Sequence, residues 1–431
     1  MTEPEGRALT VPERRALTVL QLPPRAKVAV AAGKLTGAVS RAAGRGSGAV
    51  VGGRIALKLD PELLRRLTAG RACVLISATN GKTTTTRLVA EALRAKGPVA
   101  SNALGANMPA GITAAMANDR NAEFAVIEVD EKYLPGVAEQ TEPRAIALLN
   151  LSRDQLDRAA ETRMMAQKWR DGLADTDATV IANADDPLVV WAAGRVREVV
   201  WVAVGQSWKD DAWSCPQCGG VLRLDSDDWS CGSCELRRPE PAWFLDGAEL
   251  LAPDGTRVAL AGLQLPGRAN RANAVSAAAT AAVFGVQPTV AIQRMEHVTA
   301  VAGRYDTVTY RGRTLRLLLA KNPAGWLETF DLVAARGEEP TGPVLLSVNA
   351  LSADGTDTSW LWDVDYTRLV GHHVLVIGQR RLDLAVRLQV AGVDFEVFDD
   401  VEAAVEAAPS GPIDVIANYT AFQQLRQRVG A

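Results

Sequence analysis

Short apolar runs recur through the first half of the chain, each bounded by small or polar residues. They fall at Cys73–Ile76, Phe124–Glu128, Ala145–Asn150, Thr179–Asn183 and Val199–Val204. Between them lie longer stretches with apolar residues at helical spacing, at 84–96, 107–117, 162–173 and 186–193. The short runs read as buried strands and the periodic stretches as helices. Their alternation predicts an α/β fold built on a mostly parallel, doubly wound sheet.

Ahead of this region, Ala26 to Ala43 is amphipathic and predicts a helix. Residues 50–60 (VVGGRIALKLD) read as a strand or turn approach, and Pro61 to Leu67 as a short helix. A polar strand pair is expected over 243–260 and an Ala-rich helix over 270–284. Beyond Gly303-Arg304 the alternation resumes. Strands are expected at 314–319, 344–348, 373–377 and 414–417, and helices at 324–336, 380–391 and 399–408. The expected organisation is a helical segment (1–50), a larger central α/β domain (51–302) and a smaller α/β C-terminal domain (303–431).

Composition narrows the picture. The chain has 431 residues, 48% hydrophobic and 23% charged, enough to bury large cores. A formal net charge of −3 argues against a broad nucleic-acid face. The N-terminus lacks the pattern of a signal peptide, and no apolar stretch is long and charge-free enough to span a bilayer. A cytoplasmic protein, not integral to the membrane, is expected.

The densest chemical signal is ISATNGKTTTT at 76–86. An apolar strand, a small-residue turn, Gly-Lys-Thr and a helix together make a triphosphate cradle. Backbone N–H groups and the positive helix end face the phosphates. Thr79, Asn80, Gly81, Lys82, Thr83 and Thr84 form this cradle. Lys82 reaches the outer phosphates and the Thr83 hydroxyl sits on Mg²⁺. Ser77 stands where the commonest pattern has its first glycine, so the flanking strand and helix carry the assignment. The alternative is a Gly-Lys-Thr turn before an unrelated helix.

Four cysteines, Cys215, Cys218, Cys231 and Cys234, form two C-x-x-C pairs separated by twelve residues. Two such knuckles complete a tetrahedral sulfur shell for a structural Zn²⁺. The expected zinc ribbon, 207–242, interrupts the central domain as an insertion. Cys73, in the strand before the phosphate loop, is expected to be an inert core residue.

Polar groups gather at three further strand ends. Glu128-Val-Asp130-Glu131 closes one strand; Glu128 is the first choice for metal, and Asp130 or Glu131 is placed to face the adjacent loop. Asn150-Leu-Ser-Arg153-Asp154-Gln155-Leu-Asp157-Arg158 follows another, with Arg153 or Arg158 placed to neutralise a phosphoryl group and Asp154 or Asp157 equally able to cap a helix. In Asn183-Ala-Asp185-Asp186-Pro187, Asp186 reads as a helix cap, while Asn183 or Asp185 is placed for a nucleotide contact. Asn270 and Asn273 share a helical face suited to adenine or ribose, and Arg304 offers a guanidinium at the cleft between domains.

These segments together carry a resemblance. SATNGKTTTTR (77–87) is similar to the phosphate loop of the Mur ligases. IEVDE (127–131) and NLSRDQLDR (150–158) resemble the next two signatures of one branch of that superfamily, the ligase subunits of lipid II isoglutaminyl synthases (the MurT branch). The ribbon insertion is typical of this branch, and the C-terminal segments KNPAGW (321–326) and DGTDTSWLWD (354–363) are similar to it as well. The likeness runs from about Gly53 to the C-terminus.

The resemblance implies a reaction. ATP activates the D-glutamate α-carboxylate of the lipid II stem peptide, and ammonia from a class I glutaminase partner (GatD-like) in a heterodimer converts it to D-isoglutamine. It also implies ATP, Mg²⁺ and structural Zn²⁺ as ligands, and lipid II at the inner membrane face as substrate. An aspartate of the C-terminal domain is implied to be essential. Asp357 is the matching residue, with Asp363 as fallback; it would act beside Lys82 and Glu128. Lys168 lies near the place of a carbamylated lysine in ordinary Mur ligases. The family's tyrosines beside the asparagine pair are here Ala269 and Ala272. A stand-alone amino-acid ligase of the Mur type is the alternative reading.

Overall fold

The computed structural model describes residues 22–43, 48–102, 106–153, 162–206, 211, 213–225, 228–299, 305–334 and 342–430. Arg304, Asp154, Gln155, Asp157 and Arg158 lie outside them.

The N-terminal layer is a helical hairpin, α1 (Pro24–Ala42) and α2 (Ala49–Leu59), followed by α3 (Leu63–Thr68). The strand or turn approach expected at 50–60 is instead helix. Its glycines serve close helix packing rather than a turn. A Cβ on Gly52 would meet the Gly33 carbonyl oxygen at 2.4 Å, and one on Gly33 would meet the Gly52 carbonyl oxygen at 2.8 Å. The two backbones therefore approach to a distance that only glycine permits.

A nine-stranded sheet follows. Its strands are β1 (Ala72–Ser77), β2 (Val99–Ser101), β3 (Phe124–Glu128), β4 (Ala145–Leu148), β5 (Thr179–Asn183) and β6 (Val199–Ala203), then β9 (Trp243–Asp246), β10 (Glu249–Leu251) and β11 (Arg257–Ala259). β7 (Leu222–Leu224) and β8 (Trp229–Cys231) form a separate antiparallel pair in the cysteine insertion. The large sheet runs β11-β10-β9-β6-β5-β4-β1-β3-β2. β1 to β6 are parallel, and the meander β9 to β11, expected as two strands, extends one edge as three.

Helices cover both faces: α4 (Lys82–Leu93), α5 (Pro109–Asn118), α6 (Leu134–Thr141), α7 (Thr162–Gly172), α8 (Pro187–Ala193), α9 (Arg268–Ala282) and α10 (Pro288–Met295). Alternate residues of β1 enter two different cores. Cys73 and Leu75 face the side of the hairpin, α5 and α7, whereas Val74 and Ile76 face α4 and α9. Burial on both faces explains why these strands read as continuous apolar runs. β1 lies between β4 and β3, so successive connections leave it in opposite directions. A ligand cleft is expected at the carboxyl end of such a strand.

The C-terminal domain has a six-stranded sheet ordered β12-β13-β17-β14-β15-β16. The strands are β12 (Tyr305–Tyr310), β13 (Arg313–Leu319), β14 (Val344–Ser347), β15 (Val374–Ile377), β16 (Phe395–Val397) and β17 (Ile413–Ala417), with helices α11 (Pro323–Ala334), α12 (Arg381–Val390), α13 (Val401–Ala407) and α14 (Tyr419–Val429). Only β12 is antiparallel to its neighbour. Trp326, Phe330 and Tyr366 stack edge-on at about 6 Å under one face and fix α11 against the sheet.

Candidate nucleotide and metal site

β1 ends at Ser77, whose hydroxyl donates to the Val129 carbonyl at 2.9 Å and so ties the loop after β1 to the end of β3. Gly81 then takes a left-handed conformation, φ 83°, and α4 begins at Lys82. A Cβ on Gly81 would meet the Asn273 side-chain oxygen at 2.6 Å, so glycine is required there by both backbone and space. The loop is pinned from β4 as well. Asn150 accepts from the Asn80 amide at 2.8 Å and donates to its carbonyl at 3.0 Å. Thr79 exchanges hydrogen bonds with the Ser152 backbone at 2.9 and 3.0 Å. Asn150 carries no role in the sequence; its signal is an asparagine two residues past a buried strand.

Lys82 is buried. Its ammonium donates to the carbonyls of Ala78 and Thr79 and lies 3.1 Å from Glu131 Oε1. Of the two acids expected near the loop, Glu131 therefore faces it. Asp130 accepts from the Lys132 amide and shapes a turn. Glu128 is 1% exposed. Asn107 donates to its Oε1 at 3.1 Å, while its Oε2 is buried without a hydrogen-bond partner. A buried carboxylate oxygen left bare is costly unless a cation completes it. That oxygen and the Thr83 hydroxyl in the first turn of α4 are hard oxygen donors of the kind Mg²⁺ takes.

The adjoining cleft is shallow and open to solvent. Asn80, Gly81, Asn150 and Asn183 form its floor, Arg268, Ala272, Asn273 and Ser276 of α9 one wall, and Ala324 and Glu328 of α11 the other. Asn273 thus reaches the cleft as expected. Asn270 is outside that lining and spends its amide on the Pro266 carbonyl at 2.6 Å. Asn80 also donates to Asn322 Oδ1 at 3.3 Å, a direct bond between the phosphate loop and the C-terminal domain.

Asp186, fully buried, caps α8 through the Leu188 and Val189 amides and accepts from the Leu151 amide at 2.8 Å. Burial pushes its carboxyl up to about 6, against those amides, which favour the ionised form. Asp185 pairs with Arg238 at 2.7 Å and anchors the cysteine insertion. Arg153 connects three parts of the molecule. It pairs with Asp211 at the base of the insertion and lies 3.3 Å from Asp363 of the C-terminal domain. Asp357 is exposed, and its Oδ1 caps the turn at the Ser359 amide at 2.8 Å. Asp354 accepts from the Thr420 amide and hydroxyl and holds that loop on α14. Lys168 is exposed on α7.

The four ribbon sulfurs lie within 4.8 Å of one another. Cys215–Cys234 and Cys218–Cys231 stand at 3.6 and 3.5 Å. That is far beyond a disulfide bond and close to the roughly 3.8 Å sulfur–sulfur edge of a zinc tetrahedron with 2.3 Å bonds. Backbone amides of Gly220 and Ser233 donate to Cys218 and Cys231 at 3.4 and 3.3 Å, the knuckle geometry that stabilises thiolates. The site fits Zn²⁺. Cys73, 1% exposed, has its thiol pushed by burial up to about 12 and is no nucleophile.

The Mur ligase middle domain profile matches residues 76–281, and the MurT ligase C-terminal profile matches 319–422. The chain belongs to the MurT branch of the Mur ligases. It is 28% identical to the MurT subunit of the glutamine-hydrolysing lipid II isoglutaminyl synthase of Streptococcus pneumoniae R6, over 89% of this chain and 92% of that protein. Against the Staphylococcus aureus COL subunit the figures are 29%, 92% and 96%. Among solved structures, a pseudomurein peptide ligase of Methanothermus fervidus superposes with TM-score 0.67 at 17% identity, covering 86% of this chain and 80% of that one. MurF ligase from Thermotoga maritima, solved with ADP, gives 0.61 at 16%, covering 86% and 82%. These likenesses establish the Mur ligase fold.

Proposed function

We propose that this chain is the ATP-dependent ligase subunit of a lipid II amidating enzyme. It converts the D-glutamate α-carboxylate of the stem peptide to the amide of D-isoglutamine. The observation that carries the reading is that the phosphate loop, through Asn80 and Gly81 just ahead of Lys82, opens into a cleft whose second wall comes from the C-terminal domain. Phosphoryl transfer needs positioning and charge neutralisation above all. The loop amides and Lys82 take the triphosphate. Thr83, Glu128 and Glu131 would hold Mg²⁺, which supplies charge neutralisation between the outer phosphates. Asn273 and the α9 wall hold the nucleoside.

The substrate carboxylate oxygen attacks the γ-phosphorus and ADP leaves. Ammonia nitrogen then attacks the acyl carbon of the mixed anhydride, inorganic phosphate departs, and a base takes the ammonium proton. All five cysteines are committed to the ribbon or the core, so the chain has no thiolate for hydrolysing glutamine. A class I glutaminase partner supplies ammonia, in keeping with the glutamine-hydrolysing name of the relatives. Asp357, exposed beside the C-terminal sheet, is available to orient a partner group. The four-cysteine cluster holds structural Zn²⁺.

The test is amidation of lipid II by the purified heterodimer with glutamine and MgATP, read as conversion of the carboxyl to the amide by mass spectrometry with release of phosphate. No phosphate release in the presence of acceptor would sink the reading. Product formation with a free amino acid, and none with ammonium, would favour the stand-alone ligase.

A further inference from the structure

The N-terminal hairpin carries a feature that neither folding nor nucleotide chemistry uses. One face of α1 is buried on α2 through Ala26, Ala29, Gly33 and Gly37. The opposite face is apolar and open to solvent: Val28 is 62% exposed, Leu35 67% and Val39 61%. Ala31, Ala38 and Ala42 fill the spaces between them, so no polar side chain interrupts the stripe. Lys27, Lys34 and Arg41 recur every seven residues along its border, which aligns them on one side of the helix. The neighbouring helix continues the pattern with exposed Val51 and Leu59 beside Arg54 and Lys58. From Pro23 to Leu59 the sequence contains no aspartate or glutamate.

We infer that this face docks the protein onto an anionic lipid bilayer. A helix with a central apolar stripe and a border of cations lies in the headgroup region, apolar side inward. Each cation near such a surface is attracted by the negative leaflet. No helix among the described residues is long and apolar enough to cross a membrane, so the hairpin rests on the surface. A second copy of the chain fits less well, because a symmetric pairing would set one cation row against another without an acid to answer it. α2 packs in turn on α5, where a Cβ on Gly53 would meet the Ala110 carbonyl oxygen at 1.8 Å. Asn107, just before α5, donates to Glu128. The hairpin is therefore coupled by direct packing to the catalytic end of the sheet. The purpose of docking, though not the observation, rests on the proposed membrane-held acceptor.

The experiment is co-sedimentation of the full chain with vesicles of phosphatidylcholine, alone or mixed with phosphatidylglycerol, at low and physiological salt. Binding is expected on the anionic vesicles and weakens with salt. Lys27→Gln with Lys34→Gln is expected to weaken it roughly thirtyfold. Leu35→Gln with Val39→Gln is expected to weaken it comparably, with the far-UV spectrum and melting temperature unchanged. These positions lie outside the nucleotide cleft, so phosphate release with a lipid-free acceptor stays constant while the rate on vesicle-held acceptor falls. Equal binding to neutral and anionic vesicles, or none to either, overturns the inference. So does a concentration-dependent dimer that Leu35→Gln with Val39→Gln dissolves in the absence of vesicle binding. Vesicle binding is read without amidation, so failure of the proposed reaction and failure of this docking face are separate results.

Discussion

The Lys82 ammonium lies 3.1 Å from Glu131 Oε1, with both side chains largely buried. An incoming triphosphate and this carboxylate compete for the same cation. Glu131→Gln removes the competitor. In the absence of magnesium it is expected to tighten nucleotide binding by roughly three- to tenfold. With magnesium the gain is expected to vanish or reverse if, as proposed, the carboxylate then serves the metal. Calorimetric titration with and without the metal reads both arms. Lys82→Ala is expected to abolish phosphate release under either condition.

Gly81 is held at φ 83° against the Asn273 side chain. Gly81→Ala meets a left-handed penalty of about 1–2 kcal/mol and a contact shorter than van der Waals distance. Nucleotide affinity is expected to fall at least tenfold while the fold persists. Equilibrium binding of a fluorescent ATP analogue is the measurement.

Asp357 and Asp363 sit close in sequence but in different company. Asp357 is exposed and caps a turn, whereas Asp363 faces Arg153 of the central domain. Asp357→Asn is expected to cut glutamine-driven amidation by roughly 10²- to 10⁴-fold, with ammonium salts restoring a larger share of the rate. Asp363→Asn is expected to lower both routes alike, since it loosens the contact between domains. Assaying each variant with glutamine and then with ammonium separates the two roles.

Asp186 should make stability depend on pH. Burial sets its folded value at about 6, above the unfolded 3.8. The folded state therefore holds the proton more tightly, and its contribution is fully present below the unfolded value. It is lost as pH rises towards about 6 and stays lost above. Wild type is expected to lose stability across that window relative to Asp186→Asn. Urea midpoints of both proteins from acid to neutral pH give the comparison.

The cysteine cluster is expected to bind one zinc per chain by elemental analysis. Cys231→Ser, or a strong chelator, is expected to release it and expose the insertion to proteases. The large sheet should remain folded, because its own cores lie within the sheet and helices. The insertion rests on its edge through Arg238–Asp185, Arg153–Asp211, the Trp229 indole, which donates to the Ala184 carbonyl at 2.9 Å, and a small apolar cluster of Cys215, Leu222 and Trp229 on Val190.

Much of this architecture was legible in the sequence where local pattern and tertiary role coincide. β1 and α4 around Gly81, the parallel strands buried on both faces, and the paired cysteines are of that kind. α2 was not, because Gly52 and Gly53 signal a turn locally and serve helix contact only once α1 and α5 are in place. The short edge strands β2 and β16, three residues each, carry too little pattern to detect. In the site, Asn273, Glu128 and Glu131 stand near element ends, where their sequence positions point. Asn150, Asn322 and Glu328 were not legible, since their relevance depends on which strand ends and which domain the fold brings beside the loop.

Because the cleft takes one wall from α9 and the other from α11, a bound nucleotide is gripped as between two jaws. Under the proposed reading, the Asn80–Asn322 bond that joins the phosphate loop to the C-terminal domain would report on nucleotide occupancy from both sides at once. A small molecule wedged between Asn80 and Asn322 would part the two walls without resembling ATP.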